Sequence, residues 1–66
     1  MSINKKAEPL VVRVRGAQEM LGGCGRRQIY DLIRSGELLS CKHGRSRLIF
    51  VESIRELVRR WAEAAK

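Results

Sequence analysis

Glycines divide this chain. Gly22, Gly23 and Gly25 lie almost together, Gly36 and Gly44 follow, and the stretches between them are short. Neighbouring glycines favour left-handed backbone and end helices, so no helix is expected to run through residues 22–25 or past 36. Segments this short are stable only when packed on one another, and 66 residues allow one small core. The expectation is one domain, with no room for a deep catalytic cleft.

The apolar positions identify the segments. Leu10, Val11, Val12 and Val14 form a β-branched run broken by Arg13 and Arg15, suited to a short strand or an extended lead into a helix. From Val14 onward, Ala17, Met20 and Leu21 recur at helical spacing, and this first helix ends at Gly22 and Gly23. Gly25 is an acceptable N-cap for a second helix over residues 26–35, with Gly36 as its C′ residue. Within it Ile29, Leu32 and Ile33 share one face, and Arg27, Asp31 and Arg34 lie opposite. Two short helices joined by a glycine turn make a helix-turn-helix, whose second helix commonly enters a DNA major groove.

Residues 38–42 and 47–51 are β-prone and bracket His43, Gly44, Arg45 and Ser46, so they read as a hairpin with a short basic tip, a wing. Glu52 or Ser53 then opens a last helix in which Ile54, Leu57, Val58 and Trp61 form a stripe expected to close the core. Residues 1–9 lack periodicity, end in Pro9 and read as a flexible, mildly basic arm, leaving 10–66 as the domain. The fold class expected is mainly α with a small β-hairpin: three helices plus a wing.

Charge narrows the function. Fourteen Lys and Arg against seven Asp and Glu leave a net charge of +7, which favours a polyanion, with nucleic acid ahead of an anionic membrane surface. Its placement agrees, because residues 25–47 hold six basic side chains and two acidic ones. No apolar run approaches the roughly 20 residues that cross a bilayer, and the polar start does not resemble a signal peptide, so a cytoplasmic protein is expected. Cys24, Cys41 and His43 fall one ligand short of a closed zinc site, and the cysteines read as reduced thiols. With no paired nucleophile and base, metal set or phosphate loop in the sequence, neither an enzyme nor a cofactor is expected.

The candidate DNA-binding residues fall in two groups. At the start of the second helix Arg26 and Arg27 can reach guanine edges or phosphate, and Gln28 can pair with adenine. Tyr30 can pack its ring on the core and turn its hydroxyl to a phosphate; Asp31 can accept from cytosine or orient an arginine; Arg34 suits a backbone contact. In the wing, Arg45 fits a narrow minor groove, and Lys42, Ser46 and Arg47 can straddle the flanking phosphates. His43 reads as a turn residue beside them. Arg55, Arg59 and Arg60 alternate with Glu56 and Glu63 on the last helix and read as a solvated face.

This order of elements resembles the excisionase and MerR-type winged helix-turn-helix families. The resemblance is carried by AQEMLGGCGRRQIYDLIRSGEL at 17–38, by GRSRLIFVESI at 44–54, and by the closing helix with Trp61. It departs from the family pattern in a turn one residue longer at Gly22 and Gly23, in Arg13 where a Thr cap is common, and in Phe50 where Pro is common. The missing cap, and Gly16 inside the first helix, are each expected to cost on the order of 1 kcal/mol. What the resemblance implies is an excisionase, or recombination directionality factor: a DNA-bending accessory protein that helps an integrase excise a phage or integrative element. Double-stranded DNA, a recombinase and cooperative self-association on DNA are the implied partners. A small transcription regulator of the same fold is the alternative, followed by a protein-interaction module. The MerR family proper fits less well, since no long dimerisation helix follows Trp61.

Overall fold

The valine run is a strand that pairs with the wing. In the computed structural model, which describes residues 9–65, β1 (Val11–Arg13) leads into α1 (Val14–Met20), followed by α2 (Arg26–Arg34), β2 (Ser40–His43), β3 (Ser46–Phe50) and α3 (Val51–Ala64). The expected arm lies outside the described residues apart from Pro9, which is exposed.

Where a two-stranded hairpin was expected, the sheet has three antiparallel strands in the order β1-β3-β2. Val12 faces Ile49 across one ladder, and Ser40 faces Ile49 across the other. A lone hairpin is marginal in water, and a third strand gives it a face to bury. The hairpin closes through a two-residue turn, Gly44 and Arg45, with Gly44 at φ 66°. Glycine first in such a turn is the arrangement a type II′ hairpin demands.

Both helices of the helix-turn-helix end as their glycines predict. At the end of α1, Gly22 and Gly23 donate to the carbonyls of Glu19 and Gln18 at 3.1 and 2.7 Å. At the end of α2, Gly36 donates to Ile33 and Glu37 to Leu32, at 3.1 and 2.9 Å. These are Schellman closures, and they satisfy carbonyls that a helix end would otherwise leave unpaired. Helix α1 has no side-chain cap, as expected with Arg13 at that position. Gly16 has a packing reason, however: a Cβ there would lie 3.0 Å from that of Val12, so the glycine lets α1 approach the preceding strand.

Helix α3 starts at Val51, one residue before the earlier of the expected starts, and its first donor is satisfied by the residue that precedes β1: Val51 N–H donates to the Leu10 carbonyl at 3.0 Å. Ser53 then ties three elements together. Its hydroxyl donates to the Phe50 carbonyl at 2.7 Å and accepts the Leu39 N–H at 3.1 Å.

The core is made of Ala17 from α1, Ile29 from α2, Leu38 from the linker, Ile49 from β3, and Ile54 and Leu57 from α3. All three helices and the central strand contribute to it, so each helix is held by its neighbours. Leu38, expected in a strand, belongs instead to this core at 1% exposure. Two further expectations are corrected here: Val58 and Trp61 are 41% and 46% exposed. They continue the apolar stripe of α3, but the small domain covers them only in part. Met20 also lies outside the core, at 41% exposure. The architecture is a winged helix-turn-helix: three helices with the wing extending a small sheet.

Candidate nucleic-acid interface

A basic groove of about 930 Å³ runs between the wing, α1 and the start of α2. Arg13, Arg15, Arg26, Lys42, Arg45 and Arg47 line it, against one acid, Glu19. The fold builds this concentration from separate elements. Strand β1 brings Arg13 beside Leu48 of β3, α1 carries Arg15, and the hairpin brings the wing residues to the opposite wall.

Within the wing, Lys42 and Arg47 are directly opposite each other on adjacent strands. Side chains so placed share a face of the sheet, and like charges there destabilise it. Arg47 is partly held by its bond to the Ser40 hydroxyl at 3.0 Å, and Lys42 is exposed. A pair that costs the fold stability is suited to an anion lying between the two charges.

The start of α2 has the same character. Arg26 and Arg27 occupy its first two positions, and its first turn holds no acid. Cations at the positive end of a helix are unfavourable unless an anion approaches. Arg26 lies over the Tyr30 ring, 5.9 Å from its centroid, so the half-buried ring steadies the guanidinium at the groove wall.

Of the candidates drawn from the sequence, Arg26, Tyr30, Lys42, Arg45, Ser46 and Arg47 meet in this groove. Arg27, Asp31 and Arg34 do not line it; they stand exposed on the outer surface of α2, where Asp31 and Arg34 approach to 3.5 Å. His43 is exposed and pairs with Ser46 at the base of the hairpin turn. Gln28 points away from the groove. Its Oε1 accepts the Gly25 N–H at 3.0 Å, and it borders a separate cleft with Leu32 and Trp61. It thus supplies the reciprocal half of a capping box, the half open to it when the N-cap residue is glycine.

Arg13, Arg15 and Gln18 were not among the sequence candidates, although all three line the groove. The available signal was the alternation of Arg13 and Arg15 within the valine run. Only the pairing of β1 with β3 shows that this alternation abuts the wing.

Cys24 and Cys41 are free thiols, the first half-buried and the second exposed on β2. Among the described residues no helix is long and apolar enough to cross a membrane.

Comparison with known proteins agrees with the geometry. No curated protein and no solved structure matches the chain. A model of the helix-turn-helix domain matches residues 12–64, from β1 to the last turn of α3, and supports DNA as the partner. On that match, and on the fold that bears it, the chain belongs to the helix-turn-helix domain family.

Proposed function

We propose that this protein is a sequence-selective, DNA-bending accessory factor of the excisionase type, which assists an integrase in excising a phage or integrative element. The observation that carries DNA binding is the groove itself, with six basic side chains drawn from β1, α1, α2 and the wing. In this reading α2 enters the major groove, with Arg27 and Arg34 outermost, while Arg45 at the wing tip enters the adjacent minor groove. Lys42 and Arg47 hold the phosphates between them. The protein acts by binding, without covalent chemistry and without a cofactor, in the cytoplasm.

Support for the excisionase reading is the resemblance carried by residues 17–38 and 44–54, within a family that includes excisionase-like and MerR-like proteins. Bending belongs to this reading as well, because a duplex curved toward the protein brings more of its backbone against the basic groove.

The test is a duplex enriched by this protein from a random pool, placed at different positions along fragments of equal length. Bending shows as complexes whose gel mobility depends on the position of the site, and that dependence is expected. Equal mobilities at every position, with tight binding retained, would set aside the bending role and leave a regulator of the same fold.

A further inference from the structure

The turn between α1 and α2 is anchored at its ends by Leu21 and Cys24, which pack against the core, and its middle is glycine. Gly22 and Gly23 both lie in the left-handed region, at φ +84° and +86°, with open space where a Cβ would project. These glycines meet a backbone requirement and bring no side chain to pack against either helix.

Gln18 of α1 grips the turn twice. Its main-chain carbonyl accepts the Gly23 N–H at 2.7 Å, and its side-chain Nε2 donates to the Cys24 carbonyl at 3.1 Å. On the far side of the same peptide group, the Gly25 N–H donates to Gln28 Oε1 at 3.0 Å. The peptide joining Cys24 to Gly25 is therefore held from α1 by one glutamine and from α2 by another. Arg26, the first residue of α2, follows immediately.

We propose that Gln18 is a positioning residue for base readout: through the Cys24 carbonyl it sets the angle at which α2 leaves the turn, and so which base edges Arg26 and Arg27 reach. The proposal rests on the DNA-binding reading above. Base recognition depends on donors meeting base edges at hydrogen-bond distance and direction, so a small change of helix tilt degrades it. Phosphate contacts made by long, flexible cations follow such a change more easily, and they carry no sequence information. Loosening the Gln18 bond should therefore lower discrimination between sequences more than it lowers affinity for DNA as such.

The experiment compares Gln18→Met and Gln18→Glu with the wild-type protein on two duplexes, one enriched by the wild type from a random pool and one with the same bases scrambled. Methionine keeps the length of the half-buried side chain and removes the amide; glutamate keeps its shape and replaces the donor by a charged acceptor. The Glu variant carries the test if the Met variant fails to fold, because the added charge weakens both duplexes together and leaves their ratio readable. In both variants the ratio of the two affinities should fall roughly 5-fold, about what one hydrogen bond contributes. Amide exchange at Gly23 and Gly25 of the free protein should quicken as well. Losses equal on both duplexes and tracking melting temperature would show a merely structural role and overturn the proposal. A reduced ratio with unchanged exchange in the free protein would make Gln18 a direct DNA contact and overturn it too. If the wild type binds DNA but enriches no sequence, the sequence-selective reading fails and takes this one with it.

Discussion

Arg45 is the basic side chain that folding explains least. It sits exposed in the two-residue turn of the hairpin, at one wall of the basic groove. Arg45→Ala is expected to weaken binding with little change in melting temperature. The loss should be greater on a duplex that is A·T-rich under the wing, where the minor groove is narrow and its potential more negative. Affinities measured on two duplexes that differ only there would show it, and equal affinity of mutant and wild type on both would make the wing a bystander. Arg27 plays the contrasting part. It is exposed on the outer surface of α2; if it meets base edges, as proposed, Arg27→Ala should cost about 1–3 kcal/mol on an enriched duplex and much less on random DNA. Equal losses on the two would reassign it to the phosphates.

The wing is the element in which stability and function oppose each other. Because Lys42 and Arg47 face each other across the hairpin, Lys42→Glu replaces a repulsion by a cross-strand ion pair. It should stabilise the free protein by about 0.2–1 kcal/mol, seen as a small rise in melting temperature, while DNA affinity falls. A variant that melted lower and bound as before would contradict both halves of this expectation. The elements most legible in the sequence were those with local signals. Both helix ends at Gly22 and Gly36 could be read because a left-handed glycine closes a helix regardless of its surroundings. The partner of the valine run could not. Whether residues 11–13 stay single or join a sheet is decided by their alignment with residues 48–50, far along the chain. The same gap hid Arg13 and Arg15 from the candidate site, because a groove between elements has no signature within any one of them.

At the scale of the whole molecule, the limit is how far so small a core extends. Stability of about 0.05–0.15 kcal/mol per residue implies roughly 3–10 kcal/mol for a chain of 66 residues. Leu57 is fully buried, and Leu57→Ala should cost about 2–5 kcal/mol, a large part of that total. Replacing Trp61, 46% exposed in the last turns of α3, by alanine should cost clearly less despite its greater size. Chemical denaturation of the two variants would rank them, and the reverse order would place Trp61 in the core after all. Periodicity alone put Trp61 there because it reports which face of a helix is apolar. It does not report how much of that face the rest of a short chain can cover.

The central claim, that the groove and the wing receive a DNA backbone, is tested most directly by the salt dependence of binding. Cations on four separate elements can neutralise about 4 to 6 phosphates, and each releases condensed counterions, so the logarithm of affinity should fall against the logarithm of salt concentration with a slope of roughly −4 to −5. A titration of one duplex across several salt concentrations gives that slope. A value near −4 or steeper is expected, and a slope near zero would contradict the assignment of the basic groove to DNA.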